Sequence, residues 1–411
     1  MRAFGLTLLC LLATRAWTAS TGPALVWKMQ LPGRIYTSPL ACELRPEPGL
    51  EIVVCSSESR EIYCLSAAGK VLWKYGEGFT ARLASTPSAG DLDGDGALEL
   101  VVAGGGGNLV CLEAEGTLKW RRALTGEVEW SAPVVADLQG DGTPEVIVGT
   151  QGAHLYCLAG ANGSVLWERE PGWIGGLLAA ADLDGDGRRE ILLPLGRALQ
   201  CLDDRGEKRW EFTQPVACNA ASVGDLDGDG KPEIVAAFDD RRVACLDAAG
   251  KCRWLALGGY SGGGEGTLSG PTLWREGNDG RVVVADGGGG VRCLDAQGRE
   301  LWYLNVRGPA GEAPVAGDVD GDGAVEVLLG LDDDGTVVCI GPGPQVDWRF
   351  SADFRVVSSP TLVDVEGDGR TEVLVSSNDN CLYCLRPRQR PGGVLPWPAR
   401  RADAGQTGVL P

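Results

Sequence analysis

Acidic residues recur along this chain in short loops whose spacing suits a metal ion. In the segment 91–99, carboxylates stand at relative positions 1, 3, 5 and 9, and glycines stand at positions 4 and 6. Alternate residues of a tight loop point towards its centre, and glycine permits the positive φ that wraps a backbone around an ion. A set of oxygen ligands with flexible geometry favours Ca²⁺ over Mg²⁺. The spacing therefore predicts calcium loops.

Six loops carry enough of this pattern to be candidate sites. Four are complete: Asp91, Asp93, Asp95 and Glu99; Asp182, Asp184, Asp186 and Glu190; Asp225, Asp227, Asp229 and Glu233; and Asp318, Asp320, Asp322 and Glu326. Two are variants: Asp137, Asp141 and Glu145, with Gln139 at position 3; and Asp364, Glu366, Asp368 and Glu372. Two further units have lost the pattern, one through Arg45 at position 3 and one over residues 274–278. We expect about four strong Ca²⁺ sites and two weaker ones; the alternative is that these loops are only good turns.

The loops belong to a repeat that runs along the chain. A cysteine between aliphatic residues recurs at intervals of 44 to 48 residues, from Cys64 to Cys384, and a tryptophan follows nine residues later in most units. The unit 131–169 contains four short apolar runs separated by Gly and Asp turns. Four short strands per unit, repeated, describe a propeller blade. The sequence therefore predicts an all-β, eight-bladed β-propeller of four-stranded blades, with seven blades as the alternative.

The predicted domain limits follow from the two ends of the sequence. Residues 1–20 have a basic start and an apolar run of about ten residues, which is typical of a secretory signal peptide. We expect residues 21–411 to form a single propeller of eight repeats, each of about 45 residues, with a strand around Trp27 paired beside Cys384 to close the ring. The predicted location is secreted, periplasmic or cell-surface, without a membrane span; an uncleaved interfacial anchor is the alternative.

The net charge and the cysteines indicate which partners and which cross-links to expect. The formal net charge is −19, and the six candidate loops hold 23 carboxylates. Six calcium ions would leave about −7, so much of the charge is site charge, and nucleic acid is not an expected partner. Eight of the 14 cysteines occupy the same position in successive repeats. We expect these cysteines to act as small buried hydrophobic residues. Cys42 and Cys55 flank one turn, and a disulfide between them is an open alternative.

Loops and strands together resemble the FG-GAP / VCBS repeats, the calcium-loop propellers of the integrin-α type. The half-repeats 245–254 and 293–302, each with a cysteine, an Asp-Ala-x-Gly turn and a tryptophan, are similar to the PQQ-like propeller repeat and its tryptophan-docking pattern. The resemblance covers nearly the whole chain after the leader. It implies Ca²⁺ ligation by positions 1, 3, 5 and 9 of the loops named above, although every loop here ends in Glu where integrin loops usually end in Asp.

The sequence carries no recognisable catalytic motif, since a nucleophile elbow, zinc-ligand spacing and a phosphate-binding loop are all missing. We interpret the chain as a non-catalytic, calcium-binding extracellular β-propeller that acts as a binding or adhesion module for a protein or a glycan. The alternatives are a cell-envelope scaffold propeller and a carbohydrate-active or quinone-dependent enzyme of propeller fold.

A ligand face is expected on the rim opposite the acidic loops, where the segments between blades emerge. Aromatic and Arg side chains dominate binding hot spots, and these segments carry several of them. The predicted face comprises Arg34, Tyr36, Arg82, Trp130, Trp173, Tyr260, Arg307, Phe354 and Arg355. The alternative is that these side chains fill the axis or pack between blades.

Overall fold

The structure is a computed structural model that describes residues 22–128, 132–174, 176–257 and 269–389. The predicted leader and two residues of the predicted ligand face, Trp130 and Tyr260, lie outside the described residues. Within the described ranges every regular element is a β-strand, and none of these residues forms a helix long and apolar enough to cross a membrane.

Strands are numbered in chain order, and each blade uses its strands in the same order from the axis outwards. The innermost strands of blades 1 to 8 are β2 (Leu40–Cys42), β6 (Ser88–Gly90), β10 (Val134–Ala136), β14 (Ala179–Ala181), β18 (Cys218–Gly224), β22 (Thr272–Glu276), β26 (Val315–Gly317) and β30 (Thr361–Val363). The second strands are β3 (Glu51–Ser56), β7 (Glu99–Gly104), β11 (Glu145–Gly149), β15 (Glu190–Leu195), β19 (Glu233–Phe238), β23 (Asp279–Ala285), β27 (Glu326–Gly330) and β31 (Glu372–Ser377). The third strands are β4 (Glu61–Leu65), β8 (Asn108–Leu112), β12 (Leu155–Ala159), β16 (Ala198–Leu202), β20 (Arg242–Leu246), β24 (Gly290–Asp295), β28 (Thr336–Ile340) and β32 (Cys381–Arg386). The outermost strands are β5 (Val71–Tyr75), β9 (Leu118–Ala123), β13 (Val165–Arg169), β17 (Lys208–Thr213), β21 (Cys252–Leu257), β25 (Glu300–Asn305), β29 (Val346–Ser351) and, in blade 8, β1 (Ala24–Gln30).

Eight separate four-stranded antiparallel sheets confirm the predicted eight-bladed propeller, so the seven-bladed alternative is wrong. Blade 8 takes its outermost strand from the N-terminal segment: β1 pairs antiparallel with β32, and Trp27 lies opposite Cys384. The order of the antiparallel strands puts the first–second turn of every blade, and the third–fourth turn of blades 1 to 7, on one face of the ring. We call this the acidic face. The second–third turns and the segments between blades emerge on the other, the connector face.

The middle strands of each blade are buried because a neighbouring blade covers each side of the sheet. Strand β3 is buried along its whole length, as is typical of strands covered on both faces. The repeated cysteines lie in this layer as free thiols, and burial raises the pKa of the Cys64 thiol to about 12. Cys42 and Cys55 are also free, so the disulfide that their positions allow is not formed.

A tryptophan on the outermost strand fastens most blades to the next one. The Trp120 indole N–H donates to the Gly160 carbonyl at 2.7 Å, and a Cβ added at Gly163 would lie 2.5 Å from the Trp120 ring. Gly163 has φ 65°, so glycine suits both the turn and the close approach of the indole. The same indole hydrogen bond recurs at Trp27, Trp73, Trp167, Trp210 and Trp254. Trp302 and Trp348 make no such bond to any residue that the structure describes.

Each blade also contains a β-bulge directly before this tryptophan. In blade 2, Trp120 pairs with Cys111 and Leu118 pairs with Leu112, so Lys119 is the extra residue. A bulge re-aims the side chain of its extra residue relative to the strand. We call this the bulge residue; in blades 1 to 8 it is Leu72, Lys119, Leu166, Arg209, Arg253, Leu301, Asp347 and Val26.

Candidate metal centres

The first aspartate of each acidic loop organises the loop backbone. In blade 2, Asp91 accepts hydrogen bonds from the Gly94 N–H at 2.8 Å and from the Gly96 N–H at 3.0 Å. Both glycines have positive φ, which an L side chain would strain. The first aspartates of four other loops, which accept both equivalent bonds, are Asp137, Asp182, Asp225 and Asp318. In the sixth loop Asp364 accepts from the N–H groups of Asp368 and Gly369.

The glutamate at position 9 has a structural role that the sequence did not reveal. It begins the second strand, and one of its oxygens accepts a hydrogen bond from the backbone N–H of position 2, as from Leu92 to Glu99 at 2.8 Å. This bond ties the first strand of the blade to the second. It recurs in seven blades, with Glu51, Glu99, Glu145, Glu190, Glu233, Glu326 and Glu372 as acceptors. One carboxylate oxygen, Oε1, remains, and its partner differs between blades.

In blade 2 the remaining oxygen is paired with a lysine. The Lys119 ammonium lies 2.9 Å from Glu99 Oε1 and 2.6 Å from Asp93 Oδ2, so it bridges positions 9 and 3 of the loop. Hydrogen bonding to Lys119 lowers the pKa of Asp93. Burial opposes the charge of Lys119, but its bonds to Asp93 and Glu99 leave the pKa of Lys119 above its ordinary value. The loop of blade 2 therefore already holds a cation, supplied by the protein.

Blades 4, 5 and 8 repeat this arrangement with arginine. Arg209 pairs with Glu190 and lies 2.8 Å from Asp184, and Arg253 pairs with Glu233 and lies 2.7 Å from Asp227. Both arginines are bulge residues, as Lys119 is. In blade 8 the guanidinium comes from the end of the third strand: Arg386 lies 2.7 Å from Glu372 and 2.8 Å from Glu366.

Blades 1 and 3 satisfy the same oxygen from position 3 of the loop. Arg45 lies 3.1 Å from Glu51, and the Gln139 amide donates to Glu145 at 2.9 Å. In both blades the bulge residue is a leucine. Blade 6 has no acidic loop; a tight turn joins β22 to β23, and Arg281 pairs with Glu276 at 3.2 Å.

Blade 7 differs from all of these. The Glu326 side chain is buried, and its Oε1 atom has no hydrogen-bond partner. Burial, followed by the charges of Asp320, Asp322 and Asp318, raises the pKa of Glu326 to about 8. Oxygens of Asp318, Asp320 and Glu326 lie within 4.8 Å of one another.

The bulge residue of blade 7 adds to this negative charge. It is Asp347, at the position where blades 2, 4 and 5 carry a cation. After burial, the charges of Glu326, Asp347 and Asp320 all raise the pKa of the neighbouring Cys339 thiol, so these carboxylates share one neighbourhood. An orphaned buried carboxylate oxygen among converging acids fits a divalent cation with oxygen ligands.

The other three acidic clusters are Asp91, Asp93 and Glu99; Asp182, Asp184 and Glu190; and Asp225, Asp227 and Asp229. In each of them a lysine or arginine contacts the side chain at position 3. Sequence reasoning missed these cations. The signal that would have revealed them is a basic residue directly before the docking tryptophan.

Four of the predicted ligand-face residues come together on the connector face. The Arg34 guanidinium lies 5.9 Å from the centre of the Phe354 ring and donates to the Tyr36 hydroxyl at 3.4 Å. Arg355, next to Phe354, pairs with Asp332 at 2.5 Å. We call Arg34, Tyr36, Phe354 and Arg355 the blade 8 patch. The other described residues, Arg82, Trp173 and Arg307, lie in separate connectors, between blades 1 and 2, 3 and 4, and 6 and 7.

Two cavities open between blades on the acidic face. One, of about 250 Å³, lies between blades 3 and 4 and is lined by Leu166, Trp167 and Arg188 among others. The other, of about 210 Å³, lies between blades 6 and 7 and is lined by Leu301, Trp302 and Pro342 among others. Both lie beside a leucine bulge residue, and both are smaller than the roughly 300–1,000 Å³ of usual small-molecule sites.

Comparison with solved structures shows the same fold in proteins of different function. A crystal structure of the Vibrio cholerae biofilm matrix protein Bap1 has a TM-score of 0.69 at 16% identity, covering 91% of this chain and 92% of that one. BamB from Moraxella catarrhalis has a TM-score of 0.61 at 17% identity, covering 90% and 98%. Quinohemoprotein alcohol dehydrogenase from Comamonas testosteroni has a TM-score of 0.62 at 12% identity, covering 90% and 78%. At these identities the likeness shows the fold alone.

Family models match most of the chain, whereas no curated protein sequence matches it. The FG-GAP-like repeat matches residues 91–148, which contain the loops of blades 2 and 3. The model described as outer membrane protein assembly factor BamB matches residues 130–257 and 239–389. Every blade has a bulged tryptophan strand, and six blades have an acidic loop. From the two family-model matches, the chain belongs to this BamB family of PQQ-like propellers and carries an FG-GAP-like repeat within it.

Proposed function

We propose that this chain is a non-catalytic, calcium-binding β-propeller of the cell exterior or envelope, and that it acts as a binding or adhesion module for a protein or a glycan. The observation that carries the proposal is the buried Glu326 oxygen, which has no partner inside an acidic loop. A buried carboxylate without a partner is costly, and a bound cation removes that cost.

The donor set at blade 7 favours calcium over other metals. The cluster of Asp318, Asp320 and Glu326 offers carboxylate oxygens only, and no histidine or thiolate belongs to it. Hard cations take such ligands, and Ca²⁺ tolerates the irregular geometry of a loop. The ion would neutralise the converging acids and bridge positions 3 and 9 of the loop, as the built-in cations do in blades 2, 4 and 5.

A role in binding is supported by the connector face. The blade 8 patch presents Phe354, which is 46% exposed, beside two guanidinium groups. Rigid strands hold these loops, as is usual for binding loops on a scaffold. An extracellular location is supported by the predicted leader and by the Vibrio cholerae neighbour, which is described as a biofilm matrix protein.

Calcium-dependent melting tests the metal part of the proposal. One site at 100-fold excess of Ca²⁺ over its Kd stabilises the fold by about 2.7 kcal/mol, so EDTA should lower the Tm by a few degrees. Replacing Glu326 with Gln should abolish the difference between Ca²⁺ and EDTA. A wild-type Tm that is the same in Ca²⁺ and in EDTA would contradict calcium binding.

Capture experiments test the binding part. A glycan array and a pull-down from envelope extracts should each be run with the wild type and with the Arg34→Ala, Phe354→Ala double variant. The double variant should lose the partner and keep its calcium-dependent melting. Retained binding would exclude the blade 8 patch as the ligand face.

An envelope scaffold is the second candidate function, because the BamB family model matches the chain over residues 130–389. A scaffold should capture envelope proteins and leave the glycan array blank. The quinone-dependent alternative predicts a bound chromophore, so an absorbance scan of the purified protein would test it.

A further inference from the structure

We propose that the cavity between blades 6 and 7 is a binding site for one neutral sugar ring, such as the last residue of a glycan chain. The cavity opens on the acidic face and has a volume of about 210 Å³. The site needs neither a calcium ion nor the blade 8 patch, so it is additional to the proposed function.

Trp302 lines this cavity and does not dock on the next blade. Where the other tryptophans dock, the indole lies against a glycine of positive φ in the third–fourth turn of the next blade; a Cβ added at Gly298 would lie 2.6 Å from the Trp254 ring. The corresponding residue of blade 7 is Pro344. Proline cannot adopt a positive φ, and its ring takes up the space that a docked indole needs. The Trp302 indole N–H therefore has no hydrogen-bond partner in the described part of the chain.

Blade 6 also has an unusual residue pair beside the cavity. In the other seven blades the last residue of the innermost strand is Cys, Gly, Ala or Val, and it pairs with the position-9 glutamate. In blade 6, Trp274 pairs with Arg281 instead. Trp274 is 3% exposed, and its indole N–H donates to Glu276 at 3.3 Å. Arg281 lies 3.2 Å from the same carboxylate, so blade 6 holds an ion pair where the other blades have the glutamate.

These departures from the repeat meet in one place. The residues concerned, which all line the cavity, are Trp274, Glu276, Arg281, Trp302 and Pro342. Functional sites are expected where a chain departs from an otherwise consistent pattern. The cavity between blades 3 and 4 lacks this combination, because the tryptophan that lines it, Trp167, keeps its bond to the Asp204 carbonyl at 2.9 Å.

The lining of the cavity suits a sugar ring in both polarity and size. An indole can pack against the C–H face of a pyranose, as it does against other apolar surfaces. Glu276 can accept from sugar hydroxyls, and Arg281 and the Trp302 N–H can donate to them. Glu276 and Arg281 are the charged residues of the lining and are paired with each other, which favours a neutral ligand. The volume lies below the roughly 300–1,000 Å³ of usual small-molecule sites, which limits the ligand to about a single ring.

Saturation-transfer NMR on the full-length chain tests this proposal. The probes are the neutral methyl glycosides of glucose, galactose, mannose, fucose and N-acetylglucosamine. At least one of them should bind, with a Kd on the order of 1 mM, because a ligand of so few atoms makes few contacts. Glucuronic acid should bind no more tightly than methyl glucoside. Absence of saturation transfer for every neutral glycoside, or binding of glucuronic acid alone, would overturn the proposal.

Variants of two undocked tryptophans locate the bound sugar. Trp302→Ala should abolish binding or raise the Kd at least about tenfold. Trp348→Ala is the matched control, because Trp348 has the same place in the next blade and does not line the cavity, so this variant should bind as the wild type does. Binding that survives Trp302→Ala, or that Trp348→Ala weakens as much, would overturn the assignment.

A second variant decides the matter if Trp302→Ala does not fold, as judged by near-ultraviolet circular dichroism. The Pro342→Ala, Pro344→Gly double variant changes two exposed turn residues and restores the Ala-x-Gly turn on which other tryptophans dock. Trp302 should then dock on blade 7 and no longer be available to the sugar, so binding should be lost. Retained binding in the folded double variant would contradict the proposal.

The proposed function is measured separately. Trp302→Ala should keep the calcium-dependent melting of the wild type, so a loss of sugar binding in this variant concerns the cavity alone. On a glycan array, the Arg34→Ala, Phe354→Ala variant should still bind a sugar that the cavity holds. A glycan that is lost in that variant and kept in Trp302→Ala would be bound by the blade 8 patch, which would count against the cavity.

Discussion

The loops of blade 2 and blade 7 share all four acidic positions, yet they differ in what balances those acids. Glu99 is fully buried and paired with Lys119, whereas Glu326 is equally buried and its Oε1 has no partner. The outermost strand carries Lys119 at the bulge of blade 2 and Asp347 at the bulge of blade 7. The difference between the two blades teaches that an acidic loop motif does not define a metal site by itself, because a residue on another strand can already supply the positive charge.

The largest expected effect comes from removing the built-in cation. Lys119→Met should lower the free energy of unfolding by about 3 kcal/mol in EDTA, because it leaves the buried Glu99 without its partner. Urea unfolding followed by tryptophan fluorescence measures the change. The control is Lys74→Met, whose pair with Glu61 is exposed and should be worth less than about 1 kcal/mol. If Lys119→Met and Lys74→Met lost equal unfolding free energy, the pairing of Lys119 with the loop of blade 2 would have no special energetic value.

A smaller effect on the free energy of unfolding should distinguish Glu99 from Glu326. Glu99→Gln weakens the charge-assisted bonds of Lys119 and should cost about 1.5 kcal/mol in EDTA. Glu326→Gln removes no partner and should change stability by less than about 0.5 kcal/mol, since an amide oxygen can still accept from the Val319 N–H. Parallel urea titrations in EDTA measure both. A loss of similar size at Glu326 would mean that its carboxylate is satisfied in solution.

The smallest effect concerns the tryptophans of the same two blades. Trp120 donates to the Gly160 carbonyl in the next blade, whereas Trp348 makes no such bond to the described residues. Beyond the packing loss that both variants share, Trp120→Phe should therefore cost about 1 kcal/mol more than Trp348→Phe. Thermal melts of the two variants in EDTA compare them. A larger loss at Trp348 would show that its indole N–H is bonded after all.

The sequence predicts the fold well because its landmarks are local. Cys111 and Trp120 are nine residues apart and lie opposite each other in one hairpin, so their repetition reports directly on the repetition of blades. The organisation of the acidic loops is equally local: Asp91, Gly94 and Gly96 meet within six residues.

The charge state of each site could not be predicted in the same way. Asp93 and Lys119 are 26 residues apart in sequence and meet across the blade. Their contact depends on a bulge that turns Lys119 towards the loop, and the spacing of the cysteines and tryptophans does not reveal a bulge. The spacing places a glutamate at position 9 of the predicted calcium loops, but it gives no sign that one oxygen of this glutamate accepts a backbone N–H.

The pairing of β1 with β32 has a consequence for how the ring assembles. Every other strand pair joins neighbours in the sequence, so each blade can form from local hairpins, whereas this pair joins strands near opposite ends of the described chain. Contacts between distant segments carry a larger loop-closure entropy and slow the folding of β-proteins. Until closure, β32 presents an unpaired edge, which is a template for pairing with another chain. In an incompletely folded molecule, the β32 edge of blade 8 is thus the place where strands can be exchanged between copies of the chain.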